Sequence, residues 1–240
     1  MLFLIVGIDF QPVSARVFAT DCSLRDFRAI LINCNFAEAN LSTKVLEQAV
    51  FEGTVLTGAD FQGSNLQGSR FNKANLRGAN FTRANLKKVT FANSDLAGAN
   101  FQSADMFGTA ISSSNLKSAN FRGITSVSLG LGTDASDSDF SRSTLSIYTQ
   151  NSIGPVNLTG ANFSRSTLTR AGFNGATLVR ANFSKATVRG DFRNADLSAS
   201  NLAGATFTNV NFTGAIFTDA ILTGTRFVNC KFKGVVGLDP

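Results

Sequence analysis

Several residue types on which common functions depend are absent from this sequence or rare in it. Its 240 residues contain no histidine, no tryptophan, a single tyrosine and three prolines. The absence of histidine excludes histidine-based catalytic triads and removes the commonest protein ligand for metal ions. We therefore predict that the chain has no catalytic residues, no metal ligands and no cofactor, and that it is not an enzyme.

Long hydrophobic runs are also missing. Although 43% of the residues are hydrophobic, no run approaches the roughly 18 residues that a membrane-spanning helix needs. The chain opens MLFLIVGIDF, where no basic residue precedes the apolar run from Leu2 to Ile8 and Asp9 follows it. This pattern favours a first coil or a cap over a signal peptide. The compartment stays open, with a cytoplasmic location favoured.

What the sequence has in quantity is a five-residue repeat. In NKANLRGANFTRANLKKVTF, residues 72–91, a bulky apolar residue recurs at every fifth position, and this spacing continues from Phe36 to Phe121. A small residue usually stands two positions before each bulky one, with Asn or Asp between them. Side chains alternate along a strand, so the small and bulky residues point to one face and Asn or Asp to the other. Glycine is frequent two positions after the bulky residue, where a turn needs a positive φ.

A helix does not account for this period, because residues five apart on a helix are separated by roughly 140° around its axis. Each unit is instead predicted to be a short strand followed by a corner. Such strands are too short to pair locally. We expect their backbone groups to bond to the next coil of the chain, about 4.8 Å away.

The repeat resembles the pentapeptide-repeat family, whose Ala-Asp/Asn-Leu-x-x unit is represented by Ala74-Asn75-Leu76-Arg77-Gly78, Ala79-Asn80-Phe81, Ala99-Asn100-Phe101, Ala161-Asn162-Phe163 and Ala195-Asp196-Leu197. The resemblance covers residues 36–121 and 158–232. It implies an all-β fold, a right-handed four-sided parallel β-helix with four units in each coil of about twenty residues. We expect one continuous solenoid of roughly nine to eleven coils.

The chain divides into four parts on this basis. Residues 1–35 are assigned to an N-terminal cap or degenerate first coils. Residues 36–121 form the first repeat segment, and residues 158–240 form the second together with the C-terminal end. Residues 122–157 are assigned to an irregular insertion or to degenerate coils.

Four units per coil place every fourth bulky residue on the same face, which predicts columns of phenylalanine in the core. The last of these columns is continuous only if a one-residue slip between Val188 and Phe192 is absorbed at a corner. The predicted columns are Phe61, Phe81, Phe101 and Phe121 on one face, Phe51, Phe71 and Phe91 on the opposite face, and Phe173, Phe192, Phe212 and Phe232 in the second half.

The three cysteines are predicted to be buried thiols. Cys34 and Cys230 stand in the inward small position of their units, at opposite ends of the rod, which is too far apart for a disulfide. The register around Cys22 does not place that residue. Three buried thiols fit a reducing compartment.

The five-residue period fails between Phe121 and Leu158, where only Phe140 and Leu145 resemble repeat units. One interpretation is a recognition loop, since insertions on solenoids often carry binding residues. The other is a set of eroded coils with bulges. The stretch contains the only tyrosine, Tyr148, which is a candidate anchor for a partner.

An acidic cluster lies in the same stretch, in the sequence DASDSDF at residues 134–140. Asp134, Asp137 and Asp139 lack the full ligand spacing of a calcium loop. We interpret this cluster as a solvated loop.

Positive charge is concentrated in one part of the chain. Basic and acidic residues number 12 and 12 in residues 1–139, 6 and 0 in 140–190, and 4 and 4 in 191–240, so the net charge of +6 lies in the middle segment. A second stretch without acidic residues, 61–94, contains the further candidates Lys87 and Lys88. The candidate binding residues are Arg165, Arg170, Arg180, Lys185 and Arg189, assigned to outward corner positions with Arg165 and Lys185 stacked on one face, together with Lys87, Lys88 and Tyr148.

These charges have two interpretations. They either keep a repetitive surface soluble or contact an acidic partner. For the second interpretation we predict another protein with an acidic surface, with nucleic acid and an anionic membrane surface as alternatives. The oligomeric state is left open.

The function predicted from the sequence is a non-enzymatic binding or scaffold protein. The resemblance offers two alternatives, a DNA mimic that binds DNA gyrase and confers quinolone resistance, and an adaptor secreted by bacteria. A DNA mimic needs a negatively charged rod, whereas this chain has a net charge of +6. The charge therefore counts against the gyrase alternative.

Overall fold

Very short strands make up the regular structure of the chain. The computed structural model describes residue 22, residues 29–130 and 132–145, the backbone of 147 and 148, and residues 156–238. Within these residues every regular element is a strand and none is a helix. The strands are β1 (Ile30–Ile32), β2 (Val50–Glu52), β3 (Arg70–Asn72), β4 (Thr90–Ala92), β5 (Ala110–Ser112), β6 (Val127–Leu129), β7 (Thr144–Leu145), β8 (Ile147–Tyr148), β9 (Thr167–Gly172), β10 (Thr187–Asp191), β11 (Thr206–Thr208) and β12 (Arg226–Val228).

The strands stack in parallel into the sides of a rod. Face A is the seven-stranded sheet β1-β2-β3-β4-β5-β6-β8, and the five-stranded sheet β12-β11-β10-β9-β7 lies on face D. Isolated parallel bridges form face B, for example Asn75 with Asp95, and face C, for example Asn80 with Asn100. The chain visits faces A, B, C and D once per coil. The fold is therefore a four-sided parallel β-solenoid of about nine turns, which confirms the predicted fold class.

Backbone hydrogen bonds join each coil to the next, as the repeat predicts. The amide of Leu76 donates to the carbonyl of Asp95 at 2.7 Å, and the amide of Asn75 donates to the carbonyl of Thr54 in the coil before at 2.9 Å. The corner that follows is closed by the amide of Ala79, which donates to the carbonyl of Leu76 at 3.0 Å. A left-handed residue is needed within this turn, and Gly78 supplies it with a φ of 66°.

The predicted phenylalanine columns of the first half are confirmed. The rings of Phe61 and Phe81 lie parallel with centroids 4.9 Å apart, and those of Phe51 and Phe71 lie parallel at 4.5 Å. Across the core, Phe51 and Phe61 meet edge to face at 6.3 Å. The two columns therefore touch each other and fill the rod from opposite faces.

The column of the second half is also continuous, although its rings are not uniformly stacked. Phe173 meets Phe192 edge to face at 4.9 Å, Phe192 meets Phe212 at 5.3 Å with a tilt of 47°, and Phe212 stacks on Phe232 at 5.5 Å.

Phe173 and Phe192 are 19 residues apart, one fewer than in a full coil of twenty. A register shift between the paired strands β9 and β10 accommodates this difference. Val188 of β10 pairs with Leu168 of β9, but Gly190 pairs with Ala171, so β9 holds one residue more than β10 between these pairs. Both strands continue through the position where other coils turn from face D to face A. The slip is therefore absorbed at a corner, as expected, but extended backbone replaces the turn that other coils make there.

Residues 122–130 and 132–145 follow the path of the coils. β6 pairs with β5, and Asp134 and Asp139 continue the ladders of faces B and C. Ala135 is fully buried at the position where other units carry Leu or Phe. The interpretation of residues 134–140 as a solvated loop is wrong, because Ala135 is too small to be recognised as the central residue of a unit.

The cysteines differ from the expectation. Cys34 occupies its inward position and is buried, but it forms a disulfide with the exposed Cys22, and Cys230 is a half-buried free thiol. The prediction of three buried thiols is wrong because the sequence register did not extend to Cys22. Since disulfides persist mainly in oxidising compartments, the cysteines no longer support a reducing one.

Two further observations concern membranes and metals. No helix in the described part of the chain is long and apolar enough to cross a membrane. Among the same residues, no cluster of three or more potential metal ligands is found. The carboxylates of Asp134 and Asp139 instead accept hydrogen bonds from the side-chain amides of Asn157 and Asn162, at 3.0 and 3.1 Å.

Candidate partner-binding face

A ladder of threonines lies on face D in the second half of the rod, and we call this surface the threonine face. Each of its members is the first residue of a strand, and the four strands, β7, β9, β10 and β11, are neighbours in the sheet. The threonines pair in register, Thr144 with Thr167, Thr167 with Thr187, and Thr187 with Thr206. The residue that follows each threonine points inward and is buried, so the threonines themselves point outward. The result is a flat sheet surface of hydroxyl and methyl groups.

A row of basic residues borders the side where the chain enters the threonine face, and we call it the entry row. It consists of Arg142, Arg165 and Lys185, each two residues before a threonine of the ladder, and all three are exposed. Each takes a left-handed conformation, with φ values of 58°, 57° and 59°. The predicted stacking of Arg165 and Lys185 is confirmed, and Arg142 extends the row by one coil.

The backbone around the entry row is tied to neighbouring coils. The amide of Arg165 donates to the carbonyl of Ser184 at 2.9 Å, and the amide of Arg142 donates to the carbonyl of Ser164 at 3.1 Å. The Ser143 hydroxyl, next to Arg142, donates to the carbonyl of Phe121 at 2.9 Å and is buried. The basic side chains therefore project from a backbone that is fixed before any ligand binds.

Two more basic residues, Arg170 and Arg189, border the side where the chain leaves the threonine face, and we call them the exit row. Both are exposed, but they lie in the extended strands β9 and β10. They lie at the predicted corner, between faces D and A, but as extended strand and not as a turn.

Arg180 does not belong to this surface. It lies at the corner between faces B and C, where its amide donates to the carbonyl of Ser198, and the equivalent residue one coil before is Gly160. Arg180 is fifteen residues from Arg165, which is three sides of a four-sided coil. The structure therefore separates Arg180 from the entry and exit rows.

Ion pairing distinguishes the threonine face from the first half of the rod. Within the described part of the chain, no acidic group lies within ion-pairing distance of Arg142, Arg165, Lys185 or Arg189. In the first half, by contrast, Lys87 pairs with Asp105 at 3.0 Å and Arg77 pairs with Asp95 at 3.1 Å. The candidate Lys87 is therefore partly neutralised, whereas the entry row is not.

Arg193, whose titration is shifted, lies outside this surface. The pKa of the Arg193 guanidinium is raised above its usual value by its hydrogen bonds to the Asp191 carboxylate and by the charge of that carboxylate. The two residues form an ion pair at 2.7 Å. Asp191 is thereby committed to Arg193 rather than to Arg189 of the exit row.

Phe107 is an exposed aromatic residue that the sequence reasoning missed. It is 65% exposed, one residue after the inward Met106, and it lies one coil beyond the candidates Lys87 and Lys88. The amide of Lys88 donates to the carbonyl of Phe107 at 3.0 Å. The sequence contained the signal, because in the described residues every other phenylalanine occupies a central inward position of the repeat.

Tyr148 was singled out as a candidate anchor. Its backbone belongs to β8, which pairs with β6 on face A through Ser128. Tyr148 is therefore placed on the face that follows the threonine face around the coil.

Ladders of asparagine and aspartate stiffen faces B and C. The side-chain amide of Asn80 donates to the Asp60 carboxylate at 2.9 Å, and its carbonyl oxygen accepts from the amide of Thr82 at 3.1 Å. Asn120 and Asn100 repeat the contact between coils at 3.0 Å. Asn and Asp at the outward position of each unit are thus structural residues that connect coils and hold corners.

Comparisons with known proteins agree with this architecture. The model of the pentapeptide repeat region matches residues 25–101, and the model of pentapeptide repeats (8 copies) matches residues 84–123, 156–190 and 195–234. None of the curated proteins matches the sequence.

Several solved structures are similar to the chain. HetL from the cyanobacterium Nostoc sp. strain PCC 7120, a pentapeptide repeat protein involved in regulating heterocyst differentiation, is 25% identical over 83% of this chain and 85% of its own, with a TM-score of 0.44. Full-length QnrB1, a plasmid-mediated fluoroquinolone resistance protein, is 20% identical over 86% of this chain and 92% of its own, with a TM-score of 0.32. A pentapeptide repeat protein from the Arabidopsis thaliana thylakoid lumen is 24% identical over 50% of this chain and 68% of its own, with a TM-score of 0.18.

The matched family models span most of the chain, and they coincide with the coils in which small, Asn or Asp, and bulky residues alternate. The inward columns, the outward asparagine ladder and the left-handed corners all arise from this unit. The chain belongs to the pentapeptide repeat family.

Proposed function

We propose that this protein is a non-enzymatic binding or scaffold protein, and that its threonine face binds an acidic surface on a partner protein. One observation carries the proposal. The entry row presents three cations on successive coils, and no acidic group of the described chain lies within ion-pairing distance of them.

The chemistry of the rows suits carboxylates. Arginine binds carboxylates through two parallel hydrogen bonds, which gives both strength and a defined orientation. Threonine hydroxyls next to the rows add donors and acceptors. Because the backbone of Arg165 is already bonded to the next coil, little conformational freedom of the main chain is lost on binding.

The entry row also carries costs that the fold does not need. Equivalent positions of the same corner are occupied in some coils by Gly123, Gly204 and Gly224, which adopt the left-handed conformation without strain, and in others by Thr43, Arg83 and Ser103, so the corner does not require a cation. Arg165 and Lys185 adopt it with a Cβ, and they attach like charges to backbone positions only about 4.8 Å apart. A bound anionic partner would offset both costs, which supports a role in recognition.

The chemistry of the face also supports binding rather than catalysis. Its outward side chains are hydroxyls and cations, and the described residues of the threonine face include no imidazole, thiol or carboxylate. A general base next to a nucleophile is therefore missing from this surface.

The test compares affinity capture by the wild-type protein and by the double variant Arg165→Gly/Lys185→Gly, in an extract of the native source with quantitative mass spectrometry. The matched control is Lys73→Gly/Arg180→Gly, which replaces two left-handed cations at other corners. We expect the entry-row variant to lose a partner that the wild type and the control both retain, and that partner to have an acidic surface.

The proposal fails if the entry-row variant retains every partner of the wild type. It also fails if the control variant loses the same partners, because the effect would then follow total charge and not position.

A further inference from the structure

We propose that the threonine face is a trough for an acidic α-helix of the partner, which lies along the axis of the solenoid. This inference rests on the proposed function, and it specifies which secondary-structure element of the partner binds to the threonine face. The floor of the trough is the threonine ladder. One wall is the entry row and the other is the exit row.

The floor is lower than the walls because of side-chain length. Thr167 and Thr187 end at a hydroxyl and a methyl on Cβ, whereas the arginine and lysine side chains of the rows are several atoms longer. A face three residues wide measures about 10 Å at 3.3 Å per residue. An α-helix with its side chains is about 10–12 Å in diameter. The trough and a helix therefore have similar widths.

The spacing of charge along the trough also fits a helix. Arg142, Arg165 and Lys185 occupy the same corner of successive coils, so their backbones are about 4.8 Å apart along the axis. Acidic residues at positions i, i+4 and i+7 of a helix rise on average about 5 Å from one to the next, at 1.5 Å per residue. A helix of three to four turns therefore carries a carboxylate for each member of the entry row.

The two walls define which side chains the helix needs. Arg189 stands two residues after Thr187, and Arg170 stands three residues after Thr167. A carboxylate on the other flank of the same helix would reach Arg189 in this second wall. The helix should therefore carry two acidic stripes separated by small residues that rest on the threonines.

Nucleic acids fit this surface less well. A double helix is too wide to lie between the two rows. A single strand is usually held by stacking of its bases on aromatic side chains, and no described outward residue of the threonine face or its rows is aromatic. The observations therefore favour a helical protein segment.

The test is fluorescence anisotropy at low salt with three kinds of labelled probe. The first is a 15-residue alanine-based peptide with glutamates in two stripes, whose helicity is checked by circular dichroism. The second has the same sequence with two central alanines replaced by proline, which breaks the helix and keeps the charge. The third kind consists of single-stranded and duplex oligonucleotides.

We expect the wild-type protein to bind the helical peptide at least tenfold more tightly than the proline peptide and more tightly than either oligonucleotide. Arg165→Gly/Lys185→Gly should weaken this binding at least tenfold, and Lys73→Gly/Arg180→Gly should change it less than twofold. Folding of each variant is checked by its β-type circular dichroism spectrum and its melting temperature.

Three outcomes overturn the inference. They are no binding of the helical peptide at millimolar concentration, equal binding of the helical and proline peptides, and tighter binding of an oligonucleotide. If the capture experiment still shows a partner that depends on the entry row, the proposed function stands and only the helical trough is wrong.

Discussion

Arg165 lies directly above Lys185 on successive coils, because the amide of Arg165 donates to the carbonyl of Ser184, the residue before Lys185, at 2.9 Å. Both residues are left-handed, and both point away from the rod at the edge of the threonine face. The contact places two like charges side by side on a rigid backbone. The regular stacking of coils thus produces the row of cations that we propose as part of the binding surface.

The first prediction concerns the stability of this edge. Arg165→Gly should raise the free energy of unfolding by about 0.5–1 kcal/mol, because glycine relieves the left-handed strain and the substitution removes one of two neighbouring positive charges. Urea unfolding followed by circular dichroism measures the change. Added salt should reduce the part that comes from charge repulsion. A variant less stable than the wild type would show that Arg165 makes a stabilising contact.

The second prediction separates core and surface phenylalanines. Phe81→Ala should destabilise the protein by about 3–5 kcal/mol, because it opens a cavity between stacked rings in a fully buried column. Phe107→Ala serves as the matched control and should change stability by less than about 0.5 kcal/mol, since that ring is 65% exposed. Equal losses for the two variants would contradict the assignment of inward and outward positions.

The third prediction concerns the register shift between β9 and β10. A Cβ at Gly190 would collide with the carbonyl of Ala171, and the φ of Gly190 is 159°, so Gly190→Ala should cost more than about 4 kcal/mol. Gly175→Ala is the control, because no atom lies near its Cβ position and only the left-handed conformation, about 1 kcal/mol, is penalised. Thermal unfolding compares the two. A small loss at Gly190 would mean that the two strands can be paired without this shift.

The fourth prediction concerns buried hydroxyls. Ser64 is fully buried and its hydroxyl has no hydrogen-bond partner among the described residues, so Ser64→Ala should be neutral or stabilising by about 1 kcal/mol. Ser69 is equally buried, but its hydroxyl donates to the carbonyl of Leu46 at 2.6 Å, so Ser69→Ala should destabilise by about 1–2 kcal/mol. Denaturant titrations measure the free energy of unfolding of both variants. A greater loss of stability for Ser64→Ala than for Ser69→Ala would refute this account of the inward small positions.

The core was predictable from the sequence because its signal is periodic. Phe61 and Phe81 are twenty residues apart in an unbroken repeat, so their stacking follows from four units per coil alone. This periodic signal is lost where one unit lacks its bulky residue. Ala135 occupies a central position without the volume that marks one, and the coil around it was therefore interpreted as a loop.

The candidate site was only partly predictable, because charge counts along a chain do not specify faces. Arg142 was not selected although it stands two residues after Phe140, which had been recognised as a repeat unit. Arg180 was grouped with Arg165 although fifteen residues place it at another corner. The extended path of β9 and β10 through a corner depends on the contact between Gly190 and Ala171, which no local pattern in the sequence reveals.

The most direct test of the proposed binding face is photo-crosslinking from two positions of one coil. A photoreactive phenylalanine analogue replaces Thr187 on the threonine face or Thr177 on face B, the opposite side of the same coil. Each protein is irradiated with the partner found by affinity capture. We predict crosslinks from position 187 that decline with salt and with added helical acidic peptide, and no crosslinks from position 177. Crosslinks of equal yield from both positions, or from position 177 alone, would contradict the account.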